Sequence, residues 1–283
     1  MKLLTFKLNG KEQVGFFEDG KVYPIEKYSN MVELINNTTA EELASFKADG
    51  NGIAYEDIEK CAPIPNPAQD IICLGVNYAA HAEESARFKK ELYDKNAQYP
   101  VYFSKRVAEA VADGGFIESH SDMVASLDYE SELAVIIKGD VKNVSEEDAH
   151  KYVFGYTILN DVSARNVQTR HKQWYFGKSL SGFCPMGPYI VTADEIAYPP
   201  KLDIKSRING ELRQDSNTSL LLFGIDYVIS ELSRGMTIKS GSIISMGTPA
   251  GVGMGFTPPK FLKAGDKVEC EIEKIGVLTN TVK

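Results

Sequence analysis

Apolar positions in this chain come in short runs broken by Gly, Pro and Asn-Gly, more often than at a helical period. From Asp70 onward, Ile71–Leu74, Val101–Phe103, Leu133–Lys138, Val153–Leu159, Tyr189–Thr192, Leu202–Ile208, Ile243–Met246, Val268–Ile272 and Val277–Val282 each read as a strand. Asn209-Gly210 marks a hairpin turn. Helical patterning is confined to Tyr78–Phe88, to Ser145–Tyr152 with Ser145 and Asp148 at capping-box spacing, and to Gly224–Arg234, closed by Gly235. Before Asp70 the chain differs. Leu3–Phe6 and Val14–Phe17 flank an Asn9-Gly10 turn, a short extended run follows at Val22–Pro24, and two small helices are expected around Met31–Ile35 and Ala40–Phe46, the second capped by Thr39. The pattern therefore predicts a mixed, predominantly β fold with few helices. A small α+β N-terminal domain spans 1–62, a proline-rich linker 63–69, and the main domain 70–283.

Composition narrows the function. The chain has 283 residues, 43% hydrophobic and 25% charged, which suits a folded globular protein with a large core. A net charge of −8 argues against a nucleic-acid partner. No apolar run approaches the roughly 20 residues a bilayer-spanning helix needs, so no membrane association is expected. Four scattered cysteines (Cys61, Cys73, Cys184, Cys270) lack CxxC spacing and suit a reducing, cytoplasmic setting. No glycine-rich nucleotide-binding fingerprint follows a strand.

The segment Asp128-Tyr129-Glu130-Ser131-Glu132-Leu133 carries the strongest chemical signal. On a strand, residues i and i+2 project to the same side, so Glu130 and Glu132 stand together. Paired carboxylates entering a buried strand need a cation between them, most simply a divalent metal ion. An exposed edge kept soluble by charge is the ordinary alternative, and the apolar run after Glu132 argues against it. Asp161, at the end of Tyr156–Asp161, would supply a third oxygen ligand, although an Asp there commonly serves a turn. His81 and Glu84 lie three apart on an expected helix, where Glu84 can hold the imidazole as a general base; a surface ion pair is the plainer reading. Lys178, in a Gly- and Pro-punctuated loop, with Lys105 and Arg165, offers cations for an anionic substrate. The Gly247–Gly253 loop and the Thr248 hydroxyl could cup an anion, or form a glycine turn with no ligand.

Together these pieces resemble the fumarylacetoacetate hydrolase family, in its bacterial acylpyruvase and 2-hydroxyhepta-2,4-diene-1,7-dioate isomerase-like branch. The matching pieces are Gly75-x-Asn77-Tyr78-x-x-His81-x-x-Glu84, Asp128-Tyr129-Glu130-x-Glu132-Leu133, Asn160-Asp161-x-Ser163-Ala164-Arg165, Gln168, Lys178-Ser179-Leu180, Pro185-x-Gly187-Pro188, Asn209-Gly210-Glu211 and Gly247-Thr248-Pro249-x-Gly251. The resemblance implies a β-clip-like catalytic domain, a homodimer and a Mg²⁺ or Mn²⁺ site. It implies Glu130, Glu132 and Asp161 as metal ligands, and His81 with Glu84 as a water-activating dyad on a mobile lid. Lys178 is implied to stabilise the developing anion, and Arg165, Gln168, Thr248 and Lys105 to contact substrate. Ser181 and Asn166 depart from the family pattern, in which Asp is usual at both places.

The expected activity is cleavage of a C–C bond in an acylpyruvate-type 2-oxo acid. Decarboxylation of oxaloacetate and tautomerisation or isomerisation of a hydroxydienedioate are alternatives at the same site. A ligand-binding protein without activity is a more distant one.

Overall fold

The computed structural model describes residues 1–48, 50, 52–89 and 99–283. Most of the stretch from Arg87 to Pro100, which has no readable pattern in the sequence, lies outside the described residues.

Ser131–Ile137 forms the central strand, buried along its whole length. Its alternate residues feed two cores. Leu133, Val135 and Ile137 pack with Tyr156, Ile158, Ile229 and Ile244, whereas Ala134 and Ile136 pack with Leu3, Phe16, Met31 and Ile190. That two-sided burial is why the segment reads as an unbroken apolar run. The strand pairs antiparallel with Val153–Asn160 on one side and with Ile243–Ser245 on the other. Ile243–Ser245 in turn runs parallel to Ile71–Gly75, which pairs with the edge strand Val101–Lys105.

This large sheet continues past the proline-rich stretch. Lys2–Leu8 pairs with Met186–Thr192, so the N-terminal strands Lys2–Leu8, Lys11–Glu18 and Lys21–Pro24 join it. Asn9 and Gly10 take φ values of 53° and 77° at the expected turn, a pair of left-handed positions that Asn-Gly supplies cheaply. A second sheet of five strands contains the Asn209-Gly210 hairpin between Asp203–Ile208 and Glu211–Asn217. A two-stranded ribbon joins Leu127–Asp128 to Ser163–Ala164.

The longer helices lie close to their expected spans, at Met31–Asn37, Ala40–Ser45, Ala79–Lys89 and Ile225–Gly235. The Thr39 side chain caps its helix by accepting from Glu42 N, and Ser145 does the same from Asp148 N. The Ser145–Tyr152 expectation resolves into an α-turn, Glu146–Ala149, continued by a 3-10 turn. The pattern does not foretell two further short helices, Arg165–Arg170 and Tyr175–Lys178. Lys178 therefore ends a helix rather than lying in a loop. Neither has a side-chain cap of the kind Thr39 and Ser145 supply, and tertiary packing holds them. No helix among the described residues is long and apolar enough to cross a membrane, and all four cysteines are free thiols.

Candidate metal and acid–base centre

Strand register builds the acidic cluster. Ser131 lies opposite Asn160, so the chain leaving Val153–Asn160 runs beside the entrance of the central strand. Asp161 N donates to Glu130 O at 2.9 Å, and Asn160 Oδ1 accepts from Glu130 N at 3.0 Å. Glu130, Glu132 and Asp161 are all buried, and one oxygen of each lies within 4.8 Å of the others. Asp161 itself sits just beyond the strand, which ends at Asn160.

Three cations surround this cluster, each in a fixed place. Lys178 Nζ bridges Glu130 Oε2 at 2.6 Å and Asp161 Oδ2 at 2.5 Å. Lys105 Nζ, fully buried, donates to Asp161 Oδ1 at 2.7 Å and to the carbonyls of Val162 and Lys178. Arg165 spans Asp128 Oδ2 at 2.9 Å and Glu130 Oε1 at 2.6 Å, and its third nitrogen donates to Gln168 Oε1 at 3.1 Å. The Thr248 hydroxyl donates to Ser131 O and accepts from Gln214 Nε2.

Glu132 is treated differently. It makes no ion pair among the described residues; Ser245 Oγ donates to its Oε2 at 2.5 Å, and Gly247 N donates to the same oxygen at 3.0 Å. Burial, and then the neighbouring Asp161 and Glu130, push its carboxyl well above the usual range. Burial also pushes Glu130 up, but Arg165 and Lys178 outweigh it and hold that group well below the usual range. For Lys178, burial disfavours the ammonium, and Asp161 with Glu130 more than restores it. The protein's own cations thus neutralise two of the three carboxylates and leave the third without one. An all-oxygen donor set with that deficit fits a hard divalent cation such as Mg²⁺ or Mn²⁺, which takes oxygen ligands at about 2.1 Å.

The helix Ala79–Lys89 covers the cluster. His81 and Glu84 are both buried on it, with His81 Nδ1 at 3.2 Å from Glu84 Oε2. The strand leading to this helix ends in a strained turn, where Val76 holds a φ of 50°, rarely tolerated by a β-branched residue. Asn77 clamps that turn: its Nδ2 donates to Met246 O and Phe223 O, and its Oδ1 accepts from Phe223 N.

The cavity between helix and cluster is lined by His81, Glu130, Glu132, Arg165, Gln168, Lys178 and Thr248 on its polar side. Leu74, Phe88, Phe103, Trp174 and Met254 form its apolar side. Lys105 lies behind the cluster and is not among the lining residues. Asn166 clips the neighbouring turn, accepting from Ala125 N and donating to Met123 O, while Ser181 is exposed.

Several contributors lack a readable role in the sequence. Asp128 accepts from Gly253 N at 2.6 Å and Met254 N at 3.0 Å while holding Arg165. Gln214 accepts from Ser131 N and donates to Thr248 and to Pro249 O. Their partners are remote in sequence, and the available signal was that Asp128 opens the Asp128-Tyr129-Glu130-x-Glu132 motif.

Comparison with known proteins agrees with this architecture. A family model described as fumarylacetoacetate (FAA) hydrolase C-terminal matches residues 70–283. The chain is 44% identical over 242 residues to oxaloacetate tautomerase YisK of Bacillus subtilis, covering 86% of this chain and 77% of that protein. Among solved structures, fumarylacetoacetate hydrolase from psychrophilic Exiguobacterium antarcticum is 38% identical, with a TM-score of 0.85 over 100% of this chain and 99% of that one. A maleylpyruvate hydrolase from Sphingobium sp. SYK-6, in complex with manganese (II) ion and pyruvate, is 28% identical with a TM-score of 0.78, over 100% and 98% of the two chains.

Proposed function

This chain belongs to the fumarylacetoacetate hydrolase family, and from that premise we propose that it is a divalent-cation-dependent enzyme that moves a proton beside the 2-oxo group of a short 2-oxo acid. An oxaloacetate-type keto–enol tautomerisation is the reaction in view. The observation that carries the reading is that His81, held by the buried Glu84, lines one cavity with Glu130 and Glu132 of the acidic cluster, while Asp161 sits against them. The name of the 44% identical tautomerase supports the choice of reaction.

When bound at Glu130, Glu132 and Asp161, Mg²⁺ or Mn²⁺ would supply positive charge to a substrate's carboxylate and 2-oxo oxygen. The residues of the chain do the rest. Glu84 holds Nδ1 of His81, which fixes the ring and leaves Nε2 to take a proton from the carbon beside the oxo group and return it. Lys178 and Arg165, which line the cavity beside the cluster, place two further positive charges near where negative charge develops as that proton leaves. The apolar wall of Leu74, Phe88, Phe103, Trp174 and Met254 limits water around the transferred proton.

Hydrolytic C–C cleavage of an acylpyruvate is the second reading, favoured by the likeness to the maleylpyruvate hydrolase. There His81 would deprotonate a water instead of a substrate carbon. The sequence places hydrolysis first; the proposal puts tautomerisation ahead of it, supported by the 44% identical tautomerase. The proposal keeps the homodimer, which light scattering would report as twice the chain's mass.

Product analysis separates the readings. With Mg²⁺ or Mn²⁺, wild-type protein is offered enol-rich oxaloacetate, acetylpyruvate and fumarylpyruvate. Accelerated loss of the oxaloacetate enol without pyruvate supports the proposal. Pyruvate plus a carboxylic acid from an acylpyruvate selects hydrolysis, and pyruvate plus CO₂ selects decarboxylation. No turnover of any, unchanged by Glu130→Ala and His81→Ala, sinks the enzymatic reading.

A further inference from the structure

Glu84 does more than face His81. Its two carboxylate oxygens accept from Gly251 N at 3.1 and 3.3 Å, so the helix carrying the dyad is fastened to the glycine-rich loop across the cavity. The carboxylate lies directly against Gly255. A Cβ built at Gly255 would stand 1.6 Å from Glu84 Oε1, 1.9 Å from Cδ and 2.4 Å from Cγ, and these are its three nearest contacts.

We propose that Gly255, with the Gly251 amide, forms a socket for Glu84 that seats the helix and aims His81 into the cavity. Gly255 is thus a positioning residue for the reaction.

Three features carry the inference. First, Gly255 has no positive φ, so its backbone would accept alanine, and the space taken by Glu84 is what excludes a side chain. Gly251 differs, because its φ of 102° and a Cβ position 1.9 Å from Arg213 O both demand glycine whatever the helix does. Gly255 is therefore the position that reports on seating alone.

Second, the socket is held rigidly from below. Asp128 accepts from Gly253 N and Met254 N, and Tyr129 OH donates to Gly251 O at 2.7 Å. Third, the same Asp128 holds Arg165, which holds Glu130, so one run of contacts links socket and acidic cluster. The part this plays in turnover rests on the acid–base reading of His81; the seating of the helix does not.

A double-mutant cycle on the full chain tests the socket, read by amide hydrogen exchange over Ala79–Lys89 and by kcat for enol–keto conversion. Gly255→Ala is expected to speed exchange in that helix about tenfold or more and to lower kcat about a hundredfold. Its Mn²⁺ affinity stays near wild type. Glu84→Ala should do the same, and adding Gly255→Ala to Glu84→Ala should change neither readout further, because the clash has gone.

If Gly255→Ala fails to fold while the double variant folds, the socket is equally supported. The proposal is overturned if Gly255→Ala leaves helix exchange at the wild-type level. It is also overturned if the effect of Gly255→Ala persists in full without Glu84, or if the double variant also fails to fold. Altered exchange with no detectable turnover by the wild-type protein or any variant would keep the socket and remove the acid–base reading instead.

Discussion

Glu132 is the residue on which the metal argument turns. Glu130 and Asp161 each have two cationic partners, whereas Glu132 has a hydroxyl and an amide. A buried carboxylate without a cation costs stability until it is protonated or a metal arrives. Glu132→Gln keeps an acceptor for Ser245 and Gly247 and removes the charge. The expected outcome is a metal-free protein more stable than wild type by about 1–3 kcal/mol, since unpaired buried charges cost at least that much, and one that Mn²⁺ no longer stabilises.

The pH dependence has a definite sign. Glu132's folded value is raised, so its favourable contribution is fully present below the ordinary carboxylate range and is lost as pH rises through the raised value. The stability advantage of Glu132→Gln should therefore grow with pH, as denaturant titrations across the range would report. An advantage that shrinks with pH would contradict the assignment. The paired glutamates were legible in the sequence because they stand at the mouth of a buried apolar run. Glu130 itself lies just before the strand Ser131–Ile137 and is placed by its backbone bonds to Asn160 and Asp161 rather than by strand alternation. The roles of Asp128 and Gln214 were not legible, because their partners, Gly253 and Thr248, arrive from far along the chain.

At the scale of elements, register and turn geometry bring the site together. The Ser131–Asn160 pairing sets Asp161 beside Glu130, and the Asn77 clamp sets where the Ala79–Lys89 helix departs. Asn77→Ala would strip partners from Met246 O and from the Phe223 amide and carbonyl. Leaving a buried polar group unpaired costs about 1–3 kcal/mol, so a total loss of roughly 2–4 kcal/mol is expected in urea unfolding. A cost below about 0.5 kcal/mol, the level of an ordinary surface substitution, would show that the clamp contributes little. The strands and the longer helices were readable from apolar runs and caps. The short helices that present Arg165, Gln168 and Lys178 were not, since neither carries the side-chain cap that marks Ala40–Ser45 and Glu146–Ala149, and both owe their form to packing.

At the scale of the molecule, the sheet and one of its cores run through residues on both sides of the proline-rich stretch. Leu3, Phe16 and Met31 share a cluster with Ala134, Ile136 and Ile190, and Lys2–Leu8 pairs with Met186–Thr192. Composition shifts in the sequence mark where strands change in spacing, but they carry no information about which strands pair. With a shared sheet and core, the N-terminal strands and the rest should unfold together. Far-ultraviolet circular dichroism and the fluorescence of Trp174, the single tryptophan, should give coincident transitions. Two separated transitions would mean that residues 1–62 fold independently.

The most direct test of the central claim is proton NMR of oxaloacetate in D₂O, following deuterium uptake at C3. With Mg²⁺ or Mn²⁺, wild-type protein should accelerate uptake without releasing pyruvate. Chelation should abolish the acceleration, and His81→Ala should reduce it by about 10²–10⁴-fold, the usual worth of a general acid–base group. Uptake at the background rate with a bound cation, or uptake unaffected by loss of His81, would contradict the account.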